Sequence, residues 1–125
     1  MAAGTLVSSG SSLNIPTGSG SERLRRASIY ALNADWQELF SGTAGHIYTI
    51  LSIVYTEHAN ASSTINVRVN NGTNDIFIVA GQTVPAYGTF IWNDRIVLEE
   101  DDDIDVYNSS TDGHWWISYI DQNWT

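Results

Sequence analysis

Residues 72–105 read GTNDIFIVAGQTVPAYGTFIWNDRIVLEEDDDID, and this stretch decides the fold class. Ile76–Ala80, Thr89–Trp92 and Ile96–Leu98 are short apolar runs, each ended by Gly, Pro, Asn or Asp. Runs of β-branched and aromatic residues between turn formers read as strands. Their close spacing predicts antiparallel neighbours, because parallel strands need long crossovers. Five acids in a row, Glu99, Glu100, Asp101, Asp102 and Asp103, then precede a strand that restarts at Ile104.

The pattern continues outward. Thr64–Asn70 alternates, with Ile65, Val67 and Val69 on the inward face and Asn66 and Arg68 outward. Asn70-Asn71-Gly72 is a hairpin signal. His46–Thr56 has a continuous apolar centre at Ile50-Leu51, which predicts a central strand covered on both faces. Asp35–Phe40, Asp103–Tyr107 and His114–Asp121 complete the set. In the last of these Trp115, Ile117 and Tyr119 share one face, and Trp116 points to the other. Ser21–Leu32 reads either as a short helix capped by Ser21 or as a strand. About eight strands with no long helix predict an all-β fold, an antiparallel, jelly-roll-like β-sandwich. Residues 1–28 form an extended Gly/Ser-rich N-terminal arm in this reading, and residues 29–125 the sandwich domain.

The chain has 125 residues, 42% of them hydrophobic, which is one domain with an adequate core. There is no Cys, so disulfides, thiolate metal sites and a Cys nucleophile are excluded. No apolar run approaches the ~20 residues of a membrane-spanning helix, and no secretory signal is expected. All five cations are Arg. Residues 1–26 hold Arg23, Arg25 and Arg26 against Glu22, while the rest hold Arg68 and Arg95 against thirteen acids. Such an acidic body repels nucleic acid. A small basic arm suits contact with the acidic body of a neighbour. Leu6, Val7, Leu13 and Ile15 are apolar islands in the Gly/Ser stretch and are expected to anchor that arm at an interface.

Catalytic patterns are missing. His46, His58 and His114 stand in no metal-ligand spacing, no Gly-x-Ser-x-Gly elbow occurs, and the acidic run lacks the Gly and alternation of an EF-hand loop. No catalytic residue, metal ligand or cofactor is assigned. The acidic run reads as a surface feature, in contact with solvent or with Arg23, Arg25 or Arg26 of a neighbour. The aromatics weigh more: five Trp and six Tyr are many for this length. Exposed Trp116 and Trp124 are expected as interface anchors or as sugar-stacking platforms.

From Ala44 onward the stretches AGHIYTILSIVYTEHAN, TINVRVNNGTN, QTVPAYGTFIWNDRIVLEEDDDIDVYNSS and WWISYID resemble, in order, those of a group of small phage virion structural proteins. The resemblance covers the last two thirds of the chain. It departs from the family where the usual Gly-Asp before the penultimate strand is replaced by Glu100–Asp103 without Gly. It implies a non-enzymatic β-sandwich located on the virion, most simply a capsid decoration or cement protein. The implied partners are the major capsid protein and further copies of the chain, a trimer among the options, with no nucleic acid and no membrane. A neck, tail or fibre accessory protein is the alternative within the class, and a carbohydrate-binding, lectin-like module the alternative outside it.

Overall fold

The computed structural model describes residues 21–124. Nine strands form two antiparallel sheets. They are β1 (Ser21–Ala31), β2 (Gln37–Ser41), β3 (His46–Glu57), β4 (Ser63–Asn70), β5 (Asp75–Val84), β6 (Thr89–Trp92), β7 (Ile96–Glu99), β8 (Asp103–Asn108) and β9 (Gly113–Asn123). One sheet has the order β1-β9-β3-β6, with β7 also on β3; the other is β2-β8-β4-β5. Together they make the β-sandwich that the alternation demanded.

Three local features differ from the sequence expectations. The first is β1, which already begins at Ser21, inside the stretch read as arm. All of it pairs with β9, from Ser21↔Asn123 to Ala31↔Gly113. Ala27, Ile29 and Ala31 turn toward the core at every second position, so the period is that of a strand and the helical alternative fails.

The second difference lies in the opening stretch. β5, β6 and β7 are not hydrogen-bonded neighbours. β5 pairs with β4, whereas β6 and β7 both pair with β3, at Ile53–Thr56 and Ile47–Ile50. The chain changes sheet through Pro85–Gly88. It then runs along one edge, interrupted at 93–95, where the Trp92 indole donates to the Asp94 carbonyl at 3.0 Å.

The third concerns β3. It is central in its sheet but covered on one face only. The register against β9 shifts between Ile50 and Ser52, which places a β-bulge at Leu51. Buried positions run Tyr48, Ile50 and then Ile53, Tyr55, Glu57, so the inward phase slips by one residue at the bulge. The unbroken apolar run Ile50-Leu51 reflects that slip.

The core fills the space between the sheets. Ile50, Ile53, Tyr55, Trp115 and Ile117 from one meet Ile65, Val67, Ile104 and Val106 from the other. One end of the sandwich is closed by polar groups. Glu57 is fully buried, and its carboxylate accepts from the Tyr55 hydroxyl (2.5 Å), the Ser110 hydroxyl (2.8 Å) and the Ala59 amide (3.0 Å). Asn108 lies beside it. Its Oδ1 accepts from the Trp115 indole at 3.1 Å, and its Nδ2 donates to the Ser110 carbonyl at 3.0 Å. Burial, reinforced by the bond to Glu57, pushes the Tyr55 hydroxyl up to about 12; burial also raises that of Tyr119.

In the unfolded chain these hydroxyls titrate near 10, so that state loses protons first as pH rises. Stability is therefore expected to hold up to about pH 10 and to fall from there toward 12. Tyr55→Phe leaves Glu57 one donor short, with an expected cost of about 1–3 kcal/mol at pH 7, and it removes part of the alkaline slope. Urea unfolding of both proteins at pH 7 and pH 11 checks both effects.

Candidate functional site

The outer faces of the two sheets differ in kind. On the four-stranded sheet, Arg68 reaches Asp105 (3.4 Å) and Asp75 (3.7 Å), and its guanidinium lies 3.8 Å from the centre of the Trp36 ring. That face is bridged by its own polar groups. Among the described residues the outer side of the five-stranded sheet is mainly apolar. The β1–β9 and β3–β9 registers put Leu24, Tyr30, Ile47, Leu51, Val54, Trp116 and Ile120 on its outer side. Pairing with β3 adds Ile91 and Val97. Leu24 is 75% exposed, Val97 61%, Ile91 58% and Trp116 43%.

Strand alternation creates this surface. Trp115 is buried against the Tyr55 ring, centroids 4.6 Å apart, while its neighbour Trp116 stands outside. The Arg26 guanidinium caps Trp116 at 4.7 Å from the ring. Trp116 separates two depressions. One, about 440 Å³, is bounded by Leu24, Arg26, Leu51 and Ser118. The other, about 460 Å³, lies between Tyr30, Val54 and His114. Among the described residues β1 is the border of this sheet, and the far side of a border strand presents backbone groups that can pair with another strand.

The sequence-selected residues distribute as follows. Leu6, Val7, Leu13 and Ile15 lie outside the described residues. Arg23 is exposed on β1. Arg25 pairs with Asp121 of its own chain at 3.3 Å, beside the 2.7 Å contact from His46 Nδ1 to the same carboxylate. Arg26 belongs to the apolar face through Trp116. Trp124 is half-exposed, and its amide donates to the Gly45 carbonyl at 2.9 Å.

The acidic run is a built turn. Asp102 Oδ2 accepts from the Glu99 amide (3.0 Å), Glu100 Oε2 from the Gly45 amide (3.1 Å), and the Asp102 carbonyl from the Gly42 amide (3.0 Å). Glu100 takes the left-handed conformation, φ +54°, that the missing glycine would have supplied. Among the described residues no Arg pairs with this run.

One cluster escaped the sequence reading. His58, at the end of β3, Asp112, in the β8–β9 turn, and His114, on β9, converge. Asp112 Oδ2 lies 2.9 Å from His58 Nδ1, and Oδ1 lies 2.9 Å from His114 Nε2. The hydrogen bond with His58 is the main cause that holds the Asp112 carboxyl below its ordinary range; burial opposes it, and the hydrogen bond with His114 adds to the lowering. No sequence spacing joins His58 to the other two. The only local signal was Asp112-Gly113-His114 at the start of a strand.

No family model matches the sequence, and no curated protein is similar to it. Solved structures share the fold at low identity. A chain from the acid-stable capsid of the Helicobacter pylori bacteriophage KHP30 is 8% identical, with a TM-score of 0.53; the match covers 79% of this chain and 86% of that one. A chain of the disulfide-linked pili that form Bacillus endospore appendages is 7% identical, with a TM-score of 0.51, covering 90% and 94%. A chain of the IBDV viral particle is 7% identical, with a TM-score of 0.48, covering 83% and 36%.

The two-faced placement of the adjacent tryptophans has a direct test. Trp115→Ala is expected to cost about 3–5 kcal/mol of stability. Trp116→Ala, which gives up the Arg26 contact but leaves no core cavity, is expected to cost only about 1 kcal/mol. Chemical denaturation of the two variants checks this.

Proposed function

We propose that this chain is a non-enzymatic structural protein of a virus particle, a decoration or cement protein of a phage capsid. It packs against the major capsid protein and further copies of itself. The observation that carries this reading is the apolar outer face of the five-stranded sheet, next to a strand, β1, that is the border of the sheet among the described residues. Leu24, Tyr30, Ile47, Ile91, Val97 and Trp116 are exposed on that face, with Leu51, Val54 and Ile120 partly buried between them, and a contiguous apolar patch of this kind marks an interaction surface.

Three further points support it. The strand order β1-β9-β3-β6 facing β2-β8-β4-β5 supports a jelly-roll-like reading, an architecture used by capsid and lectin domains. Two of the fold neighbours, a phage capsid and a pilus, are assemblies. The motifs from Ala44 onward resemble small phage virion proteins. The pilus has disulfide links, and this chain has no Cys, so its assembly would rest on packing and hydrogen bonds. In this reading the Gly/Ser-rich segment before Ser21 is the arm that staples neighbours, with Leu6, Val7, Leu13 and Ile15 as anchors, and a trimer is the expected unit. The same surfaces serve a neck, tail or fibre position equally well.

A second reading, a carbohydrate-binding module, is favoured by one observation: Trp116 and Tyr30 flank an open depression. One pair of measurements separates the two. The full chain is expected to sediment as an oligomer, residues 21–125 as a smaller species, and the Leu24→Asp, Trp116→Asp double variant as a folded monomer. A full-length monomer that binds a glycan array, and loses that binding with Trp116→Ala, would establish the lectin instead.

A further inference from the structure

We propose that His58, Asp112 and His114 form a binding site for one divalent first-row transition ion of the zinc class. The ion would tie the loop after β3 to the turn before β9.

Two imidazoles and one carboxylate are a ligand set that suits Zn²⁺ and its neighbours in the row and serves Ca²⁺ or Mg²⁺ poorly. Next comes geometry. Ligands bound side by side on a zinc-sized ion, each about 2.0–2.1 Å from it, stand about 3 Å apart. Both nitrogens lie 2.9 Å from an oxygen of the same carboxylate. All three ligand atoms fall within 4.8 Å of one another. The rings of His58 and His114 are stacked, 4.8 Å between centroids, so both present an edge to Asp112. The His58 side chain is 59% exposed and is free to make the small closing motion.

The frame beneath the three residues is stiff. Glu57, immediately before His58, is locked by its three donors. The His58 amide donates to the Asp112 carbonyl at 2.9 Å, which ties the two loops through backbone. Gly113 sits between the other two ligands and is buried. A Cβ there would meet the Tyr55 ring at 2.7 Å and Asn108 Nδ2 at 2.8 Å. Only glycine lets this corner close, and its packing fixes the directions in which Asp112 and His114 leave the backbone. Ion binding replaces two N–H···O bonds with three metal bonds. Further coordination positions remain open to water on the exposed side. No part of this depends on the virion reading.

The test uses the full chain, freed of metal, titrated with ZnCl₂ by calorimetry and followed by thermal unfolding. One ion per chain and a melting temperature that rises with zinc are expected. Histidine ring resonances in NMR spectra should shift for His58 and His114 and stay in place for His46. The His58→Gln, His114→Gln double variant should weaken uptake by more than the roughly 10–100-fold that even an outer-shell change costs. His46→Gln should leave it unchanged. Absence of saturable one-to-one uptake overturns the site, as does uptake that survives the double variant. If the double variant fails to fold, the ring shifts of the parent protein decide alone: movement of His46, or of none of the three, overturns the proposal.

Discussion

Glu57 is the constraint around which one end of the molecule is arranged. It is a fully buried carboxylate without a cation partner among the described residues. A charge in that position is costly unless its lone pairs are occupied. Three donors occupy them, and they come from three places: Tyr55 on the same strand, Ser110 in the β8–β9 turn and Ala59 in the β3–β4 loop. The three bonds bring strand, turn and loop to one carboxylate. The carboxylate therefore sets where two loops lie relative to β3. Asn108 extends the same network across the sandwich, since it stands on one sheet and accepts from Trp115 of the other. Packing keeps the two sheets together; this polar plug defines how their ends meet.

The sequence showed what is local. Ile65, Val67 and Val69 alternate with Asn66 and Arg68, and they sit as alternation requires. Trp115 and Trp116 divide between the two faces for the same reason. It failed where pairing is decided at a distance. Nothing near Ile76, Phe90 or Val97 says that β5 belongs to one sheet while β6 and β7 share a border of the other. Leu51 misled because a bulge and a doubly covered strand leave the same trace, two apolar residues in succession. Ser21–Leu32 was ambiguous because an edge strand with one wet face carries few apolar positions, and its partner lies at the far end of the chain.

The functional surfaces were legible to a similar depth. Trp116 could be placed outside the core from its neighbour alone. The face to which it contributes could not, because Leu24, Ile91 and Val97 are scattered through the sequence and meet only through the registers on β9 and β3. The acidic run, read from the sequence as a surface feature, forms a turn in which two of its side chains bond to backbone amides. His58 and His114 looked unremarkable, since their relation arises from pairing of β3 with β9, Thr56 opposite His114 and Glu57 opposite Gly113.

That β9 lies between β1 and β3 carries a consequence for how the molecule comes into being. Ser21 pairs with Asn123, and His46 pairs with the same residue from the other side. During synthesis β1 and β3 are both complete long before the strand that joins them exists. The five-stranded sheet cannot close before β9 has been made, so its folding includes a costly long-range closure. In the interval two strand borders wait side by side for one insert. The β9 of a second copy carries the same pairing edges, so the topology leaves room for domain swapping. Exchange of this strand between copies is thus a hazard of the topology itself, whatever the surface of the finished protein does.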